Sequence, residues 1–436
     1  MTDSSASPED QKWKSTVDAV ALTDIGMRRA INQDSLRVML AESKNGWERM
    51  GHFFAVADGM GAHAAGELAS KLAVELIPHH YTKYGEMAPP EALHRAITET
   101  NAEIFRRGQA NIEFRSMGTT CSVLTLLPEG AVVAHVGDSR VYQLAGDQLY
   151  QLTFDHSLVW EMQASGKVTD ETARSGVIPK NVITRSLGPN ATVQIDLEGP
   201  FPIRAGNRFL LCSDGLSGQV TDEEIAAILK LLSPADAAQL FLDLSNLRGG
   251  PDNITAIVVE VTSNDIGSSK GGTVNARREG SRKPFSKALA VVSVLCFIAA
   301  ALMAVTGQTT LALFTSGMAI VAVITGFAQI FWPAAPETLG AHRYGAGPHR
   351  QYKAAATQAF FEQLAGTMKP LKEAALERKW KIDWQELDKS FDKACELADA
   401  KNYADAIRTQ AKVIINLMSQ IRKQRHSQPS DSAIDL

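Results

Sequence analysis

Short apolar runs alternate with helical patterns over the first 262 residues. The runs FFAVA, CSVLTLL, AVVAHV, RFLLC and TAIVVEV are rich in β-branched or aromatic residues and end at turn residues, which is typical of buried strands. Between them, apolar residues recur at the spacing of one helix face, as at Leu68, Leu72 and Leu76. The pattern predicts a mixed α/β domain over residues 15–262.

The following segments predict a linker and a membrane hairpin. Residues 263–287 are rich in Gly, Ser and basic residues, which favours a flexible linker. Residues 288–306 and 311–332 are uncharged and apolar, and each is close to the roughly 20 residues that cross a bilayer as a helix. Basic residues flank this pair, whereas the connecting GQTT is uncharged, so both flanks are expected in the cytoplasm. The alternative is two buried helices of a soluble domain.

The C-terminal region is predicted to be helical. After a connector over residues 333–350, apolar residues in residues 351–425 follow one helix face, namely Tyr403, Ile407, Ala411, Ile414 and Met418. A single tetratricopeptide-like unit, a small helical bundle and a dimerising helix pair all fit this pattern. We expect a cytoplasmic helical domain with an unidentified protein partner, and disordered tails over residues 1–14 and 426–436.

Composition narrows the function class only slightly. The net charge of −4 gives no general argument for nucleic-acid binding, and none is expected. The four cysteines lack CxxC spacing, which argues against a zinc site or a disulfide framework and suits a reducing compartment. The first twelve residues lack the apolar core of a secretory signal. Together with the hairpin, these features predict a protein at the inner face of the cytoplasmic membrane.

Five aspartates of the first domain share a local setting, namely Asp34, Asp58, Asp138, Asp214 and Asp252. Four of the five lie at the end of a predicted strand, beside a glycine or a turn. A single Asp-Gly pair is most simply explained as a β-turn. Several in one domain favour a cluster, and clustered carboxylates repel one another unless cations neutralise them. Oxygen ligands without Cys favour hard ions, Mg²⁺ or Mn²⁺.

The order and wording of the motifs resemble one enzyme family. The motifs are TDIGMRRAINQDS, FFAVADGMGAHAAGELAS, MGTTCSVLTL, VAHVGDSRVYQL, ITRSLG, RFLLCSDGLSGQVTDEEI and GGPDNITAIVVEV. They resemble the bacterial form of the PPM (PP2C-type) metal-dependent protein serine/threonine phosphatases, over residues 18–261. The resemblance implies an α+β fold, a four-layer α/β-β/α sandwich in which helices flank two central sheets and the metal ions lie in a channel at one end.

The resemblance also implies a metal-ligand set for two Mn²⁺ or Mg²⁺ ions. Asp58 would bridge the two ions. Asp214 and Asp252 would complete the protein ligands of the first ion, and Gly59 would offer its backbone carbonyl to the second. Asp138 would join Asp214 at a possible third, weaker ion.

Further residues take supporting roles by the same resemblance. Asp34 would hold a water bound to a metal. Asn253 and Gln33 would orient the groups around the ions. Arg29 would pair with the substrate phosphate, since a guanidinium fork suits a phosphate dianion. Taken without the motif, Arg29 would be an ordinary surface charge.

Several positions depart from the family pattern. Gln33 stands where the family usually has Glu. Ala62 replaces a glycine, and would be strained by about 1 kcal/mol if the position required a positive φ. Met60 occupies the position of a proposed general acid, so His63 is the nearest candidate for that role, with an exposed turn histidine as the alternative. Residues 166–188 match the family's flap beside the active site.

The implied activity is direct hydrolysis of phosphoserine or phosphothreonine on proteins by a water that bridges two metal ions. The expected substrates are proteins phosphorylated by Ser/Thr kinases. Two alternatives stay open. One is a regulatory phosphatase of the sporulation branch, which acts on anti-anti-sigma factors. The other is an inert phosphatase-fold scaffold that recruits partners through the C-terminal helices.

Overall fold

The computed structural model describes residues 13, 15–62, 64–169, 172, 179, 182–268 and 344–427, with scattered positions between 298 and 317. The chain divides into two units. The first combines Met1–Gly272 with Arg343–Leu436, and the second is Thr273–His342. In the second unit the described helical positions are 298–299, 301–303, 311, 313 and 316–317.

The first unit contains all the named strands and helices. The strands are β1 (Val17–Asp24), β2 (Asp34–Met39), β3 (His52–Met60), β4 (Gly118–Thr119), β5 (Cys121–Leu127), β6 (Gly130–Val136), β7 (Arg140–Ala145), β8 (Gln148–Gln151), β9 (Asp196–Phe201), β10 (Arg208–Cys212), β11 (Ile254–Val261) and β12 (Arg350–Lys353). The helices are α1 (Lys44–Met50), α2 (Ala65–Lys83), α3 (Pro89–Ala110), α4 (Leu158–Ala164), α5 (Asp214–Ser217), α6 (Asp222–Leu231), α7 (Pro234–Leu247), α8 (Gln358–Gly366), α9 (Met368–Glu377), α10 (Trp384–Asp399) and α11 (Tyr403–Ser427).

Within the described residues, the strands form two antiparallel sheets. The first sheet runs β1-β11-β10-β7-β8-β12, and the second runs β2-β3-β5-β6-β9 with the short β4 paired to β3. The predicted strand FFAVA lies within β3, while CSVLTLL and RFLLC coincide with β5 and β10. These strand predictions are therefore confirmed.

Three apolar layers hold the sandwich together. Side chains such as Phe54, Val56 and Phe209 fill the space between the two sheets. A second layer packs α2 and α3 against one sheet, and a third packs α6 and α7 against the other. Burial of this kind, at about 25 cal/mol per Å² of apolar surface, drives folding. The predicted α+β four-layer sandwich is confirmed.

Local signals fix the helices on the first sheet. Thr221 begins α6 with a capping box, because its side chain accepts from the Glu224 amide and the Glu224 side chain accepts from the Thr221 amide. Ser233 caps α7, and Pro234 occupies the first helical position, where its missing N–H is not needed. These caps satisfy backbone groups that would otherwise lack partners at the helix starts.

The C-terminal region is part of the same folded unit as the sandwich. Residues predicted as connector and domain boundary instead form β12, which pairs antiparallel with β8 and extends the first sheet. The predicted helical face is confirmed, since Ile407, Ala411 and Ile414 are buried on α11. That face shares one apolar cluster with α6 and α7. The predicted helical domain therefore packs directly onto the sandwich.

Both ends of the segment between residues 268 and 344 are attached to the same stretch of the sandwich. The Ser268 amide donates to the Ile203 carbonyl at 3.1 Å, and Gly199 and Tyr344 exchange backbone hydrogen bonds of 3.1 and 2.6 Å. The predicted membrane hairpin, residues 288–332, lies mostly outside the described residues. In the part of the chain that the structure describes, none of the helices combines the length and apolar character required to span a bilayer.

Candidate metal centre and active site

The topology brings the five predicted aspartates to one end of the two sheets. Asp34 begins β2 and lies directly opposite Asp58 on β3. Asp214 lies two residues after the end of β10, and Asp252 lies two residues before β11, the antiparallel neighbour of β10. Asp138 lies in the turn between β6 and β7, and β7 is the other neighbour of β10. Residues far apart in sequence therefore converge because each lies at a strand end.

Hydroxyl side chains fix the backbone of Asp58. Its amide donates to Thr120 Oγ1 at 2.8 Å, and its carbonyl accepts from Thr119 Oγ1 at 2.9 Å and from the Thr120 amide at 2.8 Å. Thr120 Oγ1 also shares a 2.7 Å hydrogen bond with Ser139 Oγ, beside Asp138. One chain of hydroxyl groups thus connects the backbone of Asp58 to Ser139, the residue next to Asp138.

A second hydroxyl links the two sheets. Ser213 Oγ donates to Asp34 Oδ2 at 2.7 Å, and it accepts from the Thr255 amide at 3.0 Å. Ser213 stands directly before Asp214. The hydrogen bond therefore fixes Asp34 against the segment that carries Asp214.

Asn253 organises the loop that carries Arg29. Its Nδ2 donates to the carbonyls of Ile25 and Ile31 at 2.9 and 3.0 Å, and its Oδ1 accepts from the Gln33 amide at 2.8 Å. Arg29 Nη2 donates to Asp252 Oδ2 at 2.7 Å while the arginine side chain is 48% exposed. The guanidinium group therefore lies at the solvent edge of the cluster.

Glycines follow two of the aspartates because the backbone is crowded there. A Cβ on Gly59 would lie 2.1 Å from the Gly66 carbonyl oxygen, and one on Gly215 would lie 2.0 Å from the Asn253 oxygen. Both distances are far below van der Waals contact, so only glycine fits. The predicted use of the Gly59 carbonyl as a metal ligand stays a prediction. Close packing already accounts for the residue.

The electrostatics of the cluster favour protons or cations on its carboxylates. Burial raises the pKa of Asp34 to about 7. Burial raises the pKa of Asp58 well above its usual range, and the charges of Asp34, Asp214 and Asp138 raise it further. The pKa values of Asp138 and Asp214 are also raised, chiefly by burial. Like charges in a low-dielectric environment cannot all ionise without a neutralising partner.

Three carboxylate oxygens of the cluster are buried and have no hydrogen-bond partner among the described residues, namely Oδ1 of Asp34, Asp138 and Asp214. Buried polar atoms are nearly always satisfied in native proteins, so unpaired oxygens concentrated in one place require an explanation. A hard divalent cation supplies it, because such ions bind carboxylate oxygen. The residues present therefore fit the implied ions.

The arrangement is an open one. Among the described residues, no three His, Cys, Asp and Glu side chains are drawn together into a protein-only ligand cage. Mg²⁺ usually retains several waters and binds through one or two carboxylates plus substrate phosphate. An open carboxylate cluster is consistent with that mode of binding.

Among the positions that depart from the family pattern, the structure describes Ala62 and Gln33 but not His63. Ala62 is not among the described non-glycine residues with positive φ, and the unusual conformation falls on Gly61, with φ of 147°. The possible strain at Ala62 is therefore not found. Gln33 Nε2 donates to the Gly61 carbonyl at 3.3 Å. His63 lies outside the described residues, as does much of the segment 166–188.

The sequence reasoning did not assign the hydroxyl residues that position the carboxylates. They are Thr119, Thr120, Ser139 and Ser213. Each is adjacent in sequence to a predicted strand end or to one of the aspartates. That adjacency was the available signal, since a short hydroxyl beside a carboxylate at a strand end can bind the neighbouring strand.

Comparison with known proteins identifies the family of this chain. The protein phosphatase 2C family matches residues 27–244, half of the 436-residue chain. A putative protein phosphatase 2C-type from Streptococcus pyogenes is 36% identical over 56% of this chain and 97% of its own. The serine/threonine phosphatase stp of Listeria innocua is 35% identical over 55% of this chain and 93% of its own.

Among solved structures, the catalytic domain of the serine/threonine protein phosphatase PstP, crystallised with two manganese ions, is 31% identical. The match covers 57% of this chain and 99% of that one, with a TM-score of 0.48. On the sequence matches, the chain belongs to the protein phosphatase 2C family. It is accordingly a phosphoprotein phosphatase, a hydrolase of phosphoric monoesters.

Proposed function

We propose that this phosphatase hydrolyses phosphoserine and phosphothreonine in proteins by direct attack of water, with two divalent ions, Mn²⁺ or Mg²⁺, as cofactors. The observation that carries the proposal is the set of unpaired, buried carboxylate oxygens at one end of the sandwich. The expected substrates are products of Ser/Thr kinases.

The carboxylate cluster would hold the ions. Asp58, Asp214 and Asp252 would supply carboxylates, the Gly59 carbonyl would add a backbone ligand, and Asp138 would serve a third, weaker ion. When bound, a pair of divalent ions lowers the pKa of water and neutralises charge that develops on phosphate.

The surrounding residues would orient these ligands and the substrate. Thr120 and Ser213 keep Asp58 and Asp34 in place through the hydrogen bonds described above. The Arg29 guanidinium has five N–H donors, and one on Nη2 is used by Asp252. A guanidinium at the solvent edge of the cluster suits a phosphate dianion. Arg29 would therefore receive the phosphate group and direct it towards the carboxylates.

A cysteine nucleophile is not favoured at the two cysteines nearest the site in sequence. Cys121 and Cys212 are buried in β5 and β10. Burial raises the pKa of each thiol to about 12, so neither forms the thiolate that attacks phosphorus. Direct hydrolysis requires no such intermediate.

The test uses the full chain in detergent with Mn²⁺ and a phosphothreonine peptide. We expect metal-dependent release of phosphate, loss of release with EDTA, and loss in the Asp58→Asn variant. Asp18→Asn is the matched control, because Asp18 is an exposed aspartate on β1. Absence of metal-dependent turnover in the wild-type chain would overturn the proposal and favour the scaffold alternative. Strong preference for an anti-anti-sigma phosphoprotein would favour the regulatory branch.

We further propose that residues 288–332 anchor the enzyme in the cytoplasmic membrane with both flanks in the cytoplasm. Two observations support this topology. The two segments are uncharged, and the residues on both sides of them are hydrogen-bonded to residues 199–203, so the chain would enter and leave the membrane on the same side.

A cysteine introduced into GQTT tests the topology. It should react with an impermeant reagent added outside intact cells, above the labelling of the unmodified chain. Reaction only after the cells are opened would refute this orientation.

A further inference from the structure

The chain that follows the proposed membrane segment, residues 344–353, is called here the returning chain. It contacts a helix that lies beside the carboxylate cluster. Arg350, the first residue of β12, places its guanidinium carbon 4.0 Å from the ring centroid of Trp160 on α4. Its Nη2 also donates to Gln163 Oε1 at 3.2 Å. One residue therefore contacts α4 at two positions, about one helical turn apart.

The segment that begins with α4 is anchored beside the cluster at both ends. At its start, the His156 amide donates to the Gly137 carbonyl at 2.7 Å, next to Asp138. At its end, Leu187 forms a β-bridge with Thr119, whose hydroxyl binds the Asp58 carbonyl. Residues 157–165 and 182–187 consequently form a wall next to the proposed metal ligands.

The two ends of this wall are also bonded to each other. The Leu158 amide donates to the Val182 carbonyl at 2.9 Å, and the Thr184 amide donates to the His156 carbonyl at 2.8 Å. Thr184 Oγ1 donates to Glu161 Oε1 at 2.6 Å. A shift of α4 would therefore move residues 182–184 with it.

Trp160 joins the wall to the cluster as well as to the returning chain. Arg140, two residues after Asp138, places its guanidinium carbon 5.8 Å from the same ring. Arg140 is fixed by Asp155 at 2.7 Å. The indole is thus held between a residue of the catalytic sandwich and Arg350 of the returning chain. Cation–π contacts that are shielded from water are worth more than exposed ones.

A buried glutamate anchors the returning chain close to Arg350. Glu198 on β9 accepts from the Gly347 amide at 2.7 Å and bonds His349 Nε2 at 2.9 Å. The Glu198 side chain is 6% exposed. His349 also meets Phe154 edge-on at 5.6 Å, and Phe154 meets Trp160 edge-on at 5.0 Å. Arg350 is therefore presented to α4 from a rigid base.

We propose that Arg350 is a positioning residue for phosphoprotein substrates: through Trp160 and Gln163 it fixes α4, and with it residues 182–187, in the orientation that receives the polypeptide around the phosphorylated side chain. This inference rests on the proposed function. A small aryl phosphate needs only the carboxylate cluster and Arg29. A phosphopeptide extends further and must meet the neighbouring wall.

The experiment compares Arg350→Ala with the wild-type full chain, using p-nitrophenyl phosphate and a phosphothreonine peptide as substrates. We expect KM for the peptide to rise about fivefold or more, while KM for p-nitrophenyl phosphate and both kcat values stay within twofold. Arg350→Lys should give an intermediate KM, since it keeps the charge and loses the planar fork. Gln351→Ala is the matched control, because Gln351 is exposed on the same strand and bonds Gln148 instead.

Hydrogen exchange gives a readout that does not depend on activity. In Arg350→Ala, peptides covering residues 157–165 and 182–188 should exchange at least threefold faster, while peptides of α7 stay unchanged. Trp160→Leu should reproduce the pattern from the other side of the contact. Equal KM changes for both substrates, unchanged exchange beside the cluster, or uniformly faster exchange would overturn the inference. Lack of turnover by the wild-type chain would instead count against the proposed function, and the exchange result would still decide the role of Arg350 in fixing α4.

Discussion

Two sets of buried carboxylates in this protein differ in whether a cationic side chain of the protein neutralises them. In the cluster at the sheet ends, Asp34, Asp138 and Asp214 form no ion pair within the part of the chain that the structure describes, and each keeps a buried oxygen that lacks a hydrogen-bond partner there. Elsewhere, acidic groups are paired with cations from the chain itself. Glu224 lies 2.6 Å from Arg248, and Asp243 pairs with Arg422 through Oδ1, although its Oδ2 has no hydrogen-bond partner among the described residues.

The difference separates groups that complete the fold from groups that await a ligand. A buried carboxylate with a guanidinium partner is neutralised as soon as the chain folds. The cluster stays repulsive until a cation or proton arrives. The fold therefore provides the energy to hold those carboxylates together, and binding of metal returns stability that grows with the logarithm of the metal concentration. The four predictions below test this division, in order of decreasing effect.

The largest effect is expected from Asp58→Asn. Loss of a carboxylate from the centre of the cluster should lower kcat on the order of 10³-fold, about 4 kcal/mol in the barrier. In metal-free buffer the same variant should melt at the same temperature as the wild type or higher, because one repelling charge is gone. Activity and melting temperature, each measured with and without Mn²⁺, check this. A lower metal-free melting temperature would place Asp58 among the structural carboxylates.

The second prediction concerns the paired set. Arg422→Ala should lower the free energy of unfolding by about 3 kcal/mol at neutral pH, because the Asp243 side chain is fully buried and would lose its cation. Urea unfolding measures the loss. The double variant Asp243→Leu with Arg422→Met should recover most of it. A loss below about 0.5 kcal/mol would put this pair in the class of weak surface ion pairs.

The third prediction follows from the pKa of Asp243. Burial raises it from 3.8 to about 6, although Arg422 lowers it in part. The folded protein therefore binds more protons than the unfolded chain between these two values, so this group makes stability fall as the pH rises through that window. Relative to wild type, Asp243→Asn should gain about 2 kcal/mol between pH 4.5 and pH 7. Unfolding free energies at several pH values give the difference, and a flat difference would contradict it.

The smallest effect is expected at the turn beside the cluster. Backbone strain at this turn would destabilise the metal-free protein in addition to the repulsion between the carboxylates, and the two effects would be difficult to separate. Because Ala62 has no positive φ, Ala62→Gly should destabilise by about 0.5–1 kcal/mol through the entropy of the unfolded chain. Differential scanning calorimetry in metal-free buffer can resolve this change. Stabilisation by glycine would reveal strain at this position.

Much of the sandwich could be predicted because its strands carry their own signals. The buried strands β5 and β10 are short and mainly apolar, and each aspartate of the cluster lies at or near the boundary of a strand. The convergence of the five aspartates did not follow from the runs alone, since it depends on which strands pair. The order of the motifs supplied that information through the family resemblance.

The return of the chain to the sandwich was not predicted, and the reason is local. Strand β12 is only Arg350–Lys353, with alternating half-buried and exposed residues and three polar or charged side chains among four. Nothing in RQYK distinguishes an edge strand from a polar connector. Its partners β8 and Glu198 lie some 150–200 positions earlier in the sequence, beyond the reach of any local pattern. The contacts of Arg350 with Trp160 and Gln163 could not be predicted for the same reason.

The pairing of β12 with β8, and of Arg422 with Asp243, also sets an order of events during synthesis. The chain emerges at about 5–20 residues per second, so the strand that covers β8 and the arginine that neutralises Asp243 appear many seconds after the sandwich strands. Until then, β8 is an open sheet edge and Asp243 lacks its cation. The last fifth of this polypeptide thus completes the sheet and neutralises Asp243, and a ribosome that stopped before residue 350 would release an enzyme core with β8 uncovered.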